Sequence, residues 1–206
     1  MKKRIKASSE INLVDIGCAN GEFIYLCHEN FPDMYFTGVD ITDRFVEKAR
    51  AMNLERAVFE VGDGFNIKNL QRFDVVTCLG TLGILDDPIP AIDNLLALLK
   101  KGGVLLVDGL FNRYNYNVYV EWSLEDSLKT SERYVGFHSF SYGKIEKFCR
   151  ARSLDFDFIP WEIPISLPFD AEDPIRQFTI ELPNRRYLLT NGLGIITNPS
   201  FLVIKA

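Results

Sequence analysis

The sequence predicts a doubly wound α/β domain, a mostly parallel sheet with helices packed on both faces. Short apolar runs alternate with segments of helical periodicity from residue 11 to residue 108. These runs are apolar throughout rather than alternately polar, the pattern of strands covered on both faces. The first junction between such a run and a helical segment is rich in glycine, the mark of a tight strand-to-helix turn.

Residues 11–16 form the first β-rich run, closed by Gly17. Residues 21–31 follow with Phe23, Leu26 and Cys27 at helical spacing and stop before Pro32. Residues 34–39 read as the second strand. Thr42 opens a helix over residues 42–50 that sets Phe45, Val46 and Ala49 on one face. Residues 57–61 and 73–78 read as the third and fourth strands. A helix is expected over residues 90–100, stopped by Gly102 and Gly103, with a fifth strand at residues 104–107. The rhythm then breaks, and residues 111–140 are rich in Tyr and Asn without a clean period. Ser141 caps a helix over residues 142–152, and residues 154–159 alternate apolar and acidic as a sixth strand. Pro183-Asn184 turns a hairpin between residues 178–182 and 187–189, and residues 201–204 make the last strand. Asn198-Pro199-Ser200-Phe201 reads as a turn.

Composition narrows the function classes. A chain of 206 residues suits one domain, and its 47% hydrophobic content suffices for a real core. The net charge of −5, with no clustered Lys and Arg, argues against nucleic acid as a partner. The basic start at residues 1–6 reads as a solubilising tail. No apolar run of membrane-spanning length appears and no hydrophobic segment follows the basic start, so the expected setting is cytoplasmic, with no membrane partner. Cys18, Cys27, Cys78 and Cys149 form no C-x-x-C pair and read as small buried hydrophobes. The two histidines lie far apart, so no metal site is expected.

The segment Val14-Asp15-Ile16-Gly17-Cys18-Ala19-Asn20-Gly21 carries the strongest chemical signal. Small residues at Gly17, Ala19 and Gly21 let the backbone turn tightly and approach a ligand closely. The spacing is not G-x-G-x-x-G, which disfavours a dinucleotide pyrophosphate cradle. Asp40 ends the second strand about twenty residues beyond the turn, where a carboxylate can accept the hydroxyls of a ribose. Asp63 stands between Gly62 and Gly64 after the third strand.

This stretch resembles motif I of the class I S-adenosylmethionine-dependent methyltransferases, D-x-G-x-G-x-G. Asp15, Gly17, Ala19 and Gly21 take its places, with alanine for the middle glycine. Residues 73–88 and 99–107 resemble that family's fourth-strand segment and its turn into the fifth strand. Gly83-Ile84 stand where the family usually carries Glu-His. The resemblance implies a Rossmann-like, doubly wound, mostly parallel seven-stranded sheet with an antiparallel last strand and a small C-terminal cap insertion. It implies a single domain over residues 1–206, with residues 11–108 as the cofactor half and 109–206 as the acceptor-binding and cap half. It implies S-adenosyl-L-methionine as cofactor and S-adenosyl-L-homocysteine as product. The implied cofactor contacts are Asp15, Gly17, Cys18, Ala19, Gly21, Asp40 on the ribose, Ile41, Asp63 on the adenine amino group, Gly64, Phe65 and Leu79. Only about ten residues precede the first strand, so the expectation is either an open pocket or a cover supplied by the late insertion or another subunit.

The expected reaction is methyl transfer to a hydroxyl or amine of a small molecule. Residues 163–193 resemble methyltransferases of sugars and polysaccharides, which adds a sugar or polysaccharide precursor to the expected acceptors. His138 is the candidate general base, with Asp108 and Glu121 as weaker alternatives. Tyr114, Tyr116, Tyr119 and Trp122 are expected near the acceptor, and His28 is read as structural. A homodimer is among the expectations. Two other functions remain in view. A cofactor-binding protein without catalysis is suggested by Gly83-Ile84. An NAD-dependent oxidoreductase is disfavoured, because the chain lacks G-x-G-x-x-G and a Tyr-x-x-x-Lys pair.

Overall fold

The computed structural model describes residues 10–66, 72–123, 134–197 and 199–206, so the basic start and Asn198 lie outside the described residues. The chain forms two compact units. One holds the described residues up to Leu79 with Ala91–Leu106 and Lys205–Ala206; the other holds Gly80–Pro90 and Val107–Ile204. The division is therefore not a single cut near residue 108, because residues 80–90 group with the later part of the chain.

In the first unit the strands are β1 (Asn12–Ile16), β2 (Tyr35–Asp40), β3 (Ala57–Val61), β4 (Phe73–Cys78) and the opening part of β5 (Leu99–Asn112). Their order is β3-β2-β1-β4-β5. β1 pairs in parallel with β2 and β4, and β2 pairs in parallel with β3. Helices α1 (Glu22–Asn30) and α2 (Asp43–Ala51) return the chain between these strands. Ile24 and Cys27 of α1 and Val46 and Ala49 of α2 bury their side chains in one cluster with Leu13, Phe36 and Phe59 of the sheet. In α1 the buried stripe is Ile24 with Cys27, whereas Leu26, grouped with Cys27 by spacing, is 60% exposed. Burying one apolar face of each helix is the main force holding the layers together.

α3 runs Pro88–Ala97 rather than over residues 90–100, and β5 begins at Leu99 rather than at residue 104. Arg72 explains the early stop. Its Nη1 donates to the carbonyls of Ala97 at 3.2 Å and Leu99 at 3.1 Å, while the Leu98 carbonyl accepts from Phe73 N at 2.8 Å. Carbonyls engaged in this way leave the helix and run on as strand. Gly102 then takes φ +80° inside β5. Gly102 N donates to the Ala206 carbonyl at 2.7 Å and Ala206 N to the Gly103 carbonyl at 3.1 Å. The glycine pair thus bends a strand that keeps its antiparallel partner.

In the second unit β5 continues beside β8 (Ser139–Ser141), pairing in parallel with Phe111 opposite Phe140. β9 (Asp155–Pro160) and β12 (Pro199–Lys205) extend the order as β5-β12-β9. α4 (Tyr142–Ala151) starts at the expected cap, where Ser141 Oγ accepts from Gly143 N at 3.2 Å. The expected hairpin is present as β10 (Phe178–Leu182) and β11 (Arg186–Thr190). A second, two-residue pair, β6 (Glu121–Trp122) with β7 (Tyr134–Val135), lies in the aromatic stretch. Pro199, Ser200 and Phe201, read from sequence as a turn, instead open β12. Proline at a strand's first residue costs no ladder bond, and Ser200 is buried.

The four cysteines are free and buried, and burial pushes the Cys18 thiol up to about 12. Among the described residues no helix is long and apolar enough to cross a membrane, and no His, Cys, Asp and Glu group is arranged to hold a metal ion.

Gly38 in β2 marks a close contact between the sheet and the turn that follows β1. A Cβ there would lie 2.5 Å from Phe59 Cδ1 and 2.9 Å from Cys18 Sγ. Gly38→Ala is expected to destabilise the protein by about 1–3 kcal/mol, read as a lower urea midpoint. Gly62→Ala, whose Cβ would meet only Val39 at 3.7 Å, is the control and should leave the midpoint near the wild-type value.

Candidate functional site

The turn from β1 into α1 carries three left-handed residues in alternation: Gly17 at φ +76°, Ala19 at φ +46° and Gly21 at φ +82°. These are the small residues singled out from the sequence. Glycine adopts this conformation freely, whereas Ala19 holds it at a cost of about 1–2 kcal/mol. The turn is strapped to the end of β2. Gly17 N and Cys18 N both donate to the Val39 carbonyl, at 2.8 and 3.1 Å, and Ala19 N donates to Asp40 Oδ2 at 2.9 Å. Asp40 Oδ1 accepts from Thr42 N at 2.8 Å. One carboxylate therefore joins the start of α1 to the start of α2. An ionised carboxylate offers about four acceptor positions, so hydroxyl donors can still be received beside these two bonds.

The loop after β3 is bound to the same place. Gly62 N donates to the Asp40 carbonyl at 2.9 Å, and Asp63 Oδ1 accepts from Phe65 N at 3.0 Å in a local turn. Gly64 lies against Ile16, where a Cβ would sit 2.2 Å from Ile16 Cγ2. Beside Asp40, Ile41 leaves 73% of its surface exposed. Cys18 differs from its neighbours: its thiol is buried toward Gly38, so the turn offers its backbone there. Leu79 follows the end of β4 and is half-buried. All eleven residues that the resemblance implied for cofactor contact thus fall in the first unit, at the carboxyl ends of β1 to β4, where open parallel sheets bind ligands.

Asp15 lies beneath the turn, 2% exposed, facing Thr77 across the β1–β4 pairing. Thr77 Oγ1 donates to Asp15 Oδ1 at 2.6 Å. Burial pushes the Asp15 carboxyl up to about 7, against the Thr77 bond and with a smaller push from the Asp40 charge. Sequence reasoning missed Thr77. The signal was present as a lone hydroxyl inside the apolar run of β4.

The second unit contains a cavity of about 300 Å³. Trp122, Phe137, Trp161, Gln177 and Asp108 contribute to its wall, and Gly83 and Ile84 complete it from the loop after β4. Among the described residues of that lining, Asp108 is the one titratable side chain. Its carboxyl accepts from Trp161 Nε1 at 3.2 Å, and burial holds it above the usual carboxylate range. Gln177 Nε2 donates to Thr197 Oγ1 at 2.9 Å. Trp161 and Gln177 were not singled out from sequence, because nothing in the proline-punctuated stretch between β9 and β10 separates a wall residue from a surface one.

His138 is 1% exposed, and its Nδ1 accepts from Val120 N at 3.0 Å. Tyr119 and Phe140 meet its ring edge-on, and His138 N donates to the Gly83 carbonyl at 2.9 Å. Its neighbours Gly136 and Phe137 line the cavity and His138 does not. Of the aromatic residues expected near the acceptor, Trp122 lines the cavity, while Tyr114, Tyr116 and Tyr119 are exposed. Glu121 is an exposed β6 residue, and His28 packs its ring against Phe36 at 6.1 Å.

The model of a family described as a methyltransferase domain matches residues 7–149. The chain belongs to this family. It is similar to the malonyl-[acyl-carrier protein] O-methyltransferase of Acetivibrio thermocellus, 26% identical over 155 residues that cover 73% of this chain and 51% of that protein. It is also similar to the ubiquinone biosynthesis O-methyltransferase of Saccharophagus degradans, 33% identical over 115 residues that cover 53% of this chain and 46% of that one. The chain spans about half the length of these curated relatives. Among solved structures, the plantazolicin methyltransferase BpumL in complex with a pentazolic desmethylPZN analog and SAH has a TM-score of 0.60. It is 18% identical, over 96% of this chain and 77% of that one, a likeness of fold. None of these names contains a sugar, so the expectation drawn from residues 163–193 gains no support.

S-adenosylmethionine is the methyl donor of this class, and the first unit fits it on three counts. A carboxylate with acceptor capacity ends β2, an exposed apolar side chain follows it at Ile41, and at Gly17, Ala19 and Gly21 the β1–α1 turn carries nothing larger than a methyl group.

The Asp15 shift predicts a pH dependence. Below about pH 4 the carboxyl is protonated in folded and unfolded chains alike. As pH rises toward 7 the unfolded chain releases a proton that the folded chain keeps, so stability falls, by at most about 4 kcal/mol above pH 7. Asp15→Asn keeps an acceptor for Thr77 and should flatten this part of the profile. Denaturation midpoints from pH 4 to 8 measure it, and a variant slope identical to wild type would count against the raised Asp15.

Proposed function

We propose that the protein transfers a methyl group from S-adenosylmethionine to a hydroxyl or amine of a small molecule. The observation that carries this reading is the β1–α1 turn strapped to the Asp40 carboxylate in a chain of the methyltransferase-domain family. Asp40 receives the ribose hydroxyls, Asp63 accepts from the adenine amino group, and Ile41 and Phe65 cover the base. The main chain from Gly17 to Gly21 lies along the amino-acid end. When bound, the donor supplies an electrophilic methyl group on a sulfonium and leaves as a neutral thioether.

The chain's own task is alignment and exclusion of water. Holding two reactants in line is worth on the order of 7–11 kcal/mol without covalent help. The cavity of the second unit takes the acceptor, and its size suits a small molecule or one end of a longer one. Leu79, assigned to the cofactor, is followed in the chain by Gly80, which lines that cavity. His138 acts as a positioning residue: with Nδ1 occupied and its ring enclosed, it fixes the backbone of Gly136 and Phe137 in the wall. The O-methyltransferase names of both curated relatives support methyl transfer as the reaction.

S-adenosylhomocysteine is the test ligand. At a hundredfold excess over Kd it should stabilise the protein by about 2.7 kcal/mol, read as a raised Tm. Asp40→Ala should lose most of that shift. Part of its loss will come from the released turn, so the exposed Asp63→Ala is the cleaner variant, expected to bind about tenfold more weakly with an unchanged unliganded Tm. A wild-type Tm that ignores the ligand overturns the proposed function.

A further inference from the structure

The cavity of the second unit combines one half-buried carboxylate with two indole rings and a phenyl ring, and among the described residues that line it there is no Lys, Arg or His. Among the described residues, the Asp108 carboxyl has neutral donors, the indole N–H of Trp161 and the backbone of Gly109. A buried carboxylate without a cationic partner is unfavourable in an apolar surround and favours a ligand that brings the missing charge. Indole faces attract the same charge through their quadrupole, more strongly than other side-chain rings do.

The walls are set before a ligand arrives. Trp161 stacks on Phe201 at 5.9 Å with 22° between the planes, and Trp122 stacks on Tyr134 at 6.4 Å with 19°. Gly136 admits Trp122 closely, since a Cβ there would lie 2.9 Å from its ring. Gly83 and Ile84 add neither charge nor hydrogen-bonding side chain where the resembled family carries Glu-His. An anionic acceptor would meet Asp108 with no compensating cation, so acyl groups that carry a free carboxylate are selected against.

The geometry points to an amine, held as its ammonium ion by Asp108 between Trp122 and Trp161, as the acceptor this cavity takes. The inference rests on the reading of the cavity as the acceptor site. An ammonium group has no lone pair and cannot be methylated as such. Its N–H proton passes to the Asp108 carboxylate, which becomes a neutral carboxylic acid, and the nitrogen keeps the electron pair of the broken bond as a neutral amine. The burial that holds the Asp108 pKa above its usual range favours the protonated carboxyl on the receiving side.

The test uses the full chain and three isosteric probes: benzylammonium, benzyl alcohol and benzoate at pH 7. Trp122 and Trp161 are the two tryptophans of the sequence, so intrinsic tryptophan fluorescence reports on this cavity. Benzylammonium should change that emission and bind at least tenfold more tightly than benzyl alcohol, with benzoate weakest. Asp108→Asn should remove that preference, weakening the ammonium about tenfold and leaving the alcohol unchanged. Trp161→Phe serves as a second variant that keeps a ring in the wall and should weaken the ammonium more than the alcohol. Equal binding of alcohol and ammonium, an ammonium affinity indifferent to Asp108→Asn, or no binding of any probe overturns the amine assignment. A parallel titration with S-adenosylhomocysteine separates the two claims. If that ligand binds and the amine preference is absent, the acceptor class is wrong and the methyltransferase reading stands. If it does not bind, the methyltransferase reading fails on its own account.

Discussion

Three loops of the first unit depend on two consecutive residues at the end of β2. The Val39 carbonyl collects the N–H groups of Gly17 and Cys18, the Asp40 carboxylate collects those of Ala19 and Thr42, and the Asp40 carbonyl collects that of Gly62. Every one of these donors would otherwise be an unpaired backbone group at an element's edge, and an unpaired buried group is expensive. Binding them to one strand end fixes the β1–α1 turn, the cap of α2 and the loop after β3 together. The left-handed Ala19 shows the strength of the arrangement. A bond from its N–H to a charged carboxylate contributes about 1.5–3 kcal/mol, enough to offset the strain of a Cβ in that conformation.

Three carboxyls of the strands illustrate how burial and donors divide one chemistry into several. Asp40 is partly exposed and accepts from two backbone N–H groups, with acceptor positions to spare. Asp15 is buried with one hydroxyl partner, and desolvation carries its titration to about 7. Asp108 lies in the cavity wall, raised by burial, with no cationic side chain among the described lining residues. The side chain is the same in all three places. What differs most is how far each carboxyl is taken out of water, and that follows from whether it faces a loop, a neighbouring strand or an apolar wall.

Residue spacing disclosed the first unit well because its constraints are local. Strands covered on both faces must be apolar, helices must turn one apolar stripe inward, and a left-handed turn must use small residues; each requirement writes itself into neighbouring positions. Hence β1 to β4, α1, α2, α4 and the β10–β11 hairpin fall where spacing put them. The end of α3 did not, because Arg72 acts on Ala97 and Leu99 from far away in the chain. β8 was hidden for a similar reason. Ser139, Phe140 and Ser141 become a strand only by lying beside Leu110–Asn112, and three residues are too few to show a period. His138 was chosen as a base for its residue type alone, and type says nothing about a backbone N–H from Val120 that occupies its Nδ1.

The loop after β4 ties these points together. In the resembled family an acid and a base stand where this chain has Gly83 and Ile84. A histidine there would place a titratable cation in the same wall as Asp108 and would partner its charge. With Gly83 and Ile84 in those places, the described lining residues hold a carboxyl and aromatic rings and no basic side chain. The substitution therefore does more than remove an acid–base pair from one loop. It leaves Asp108 as the group that sets the charge of the cavity, so the ligand's own charge must complete the balance that the polypeptide leaves open.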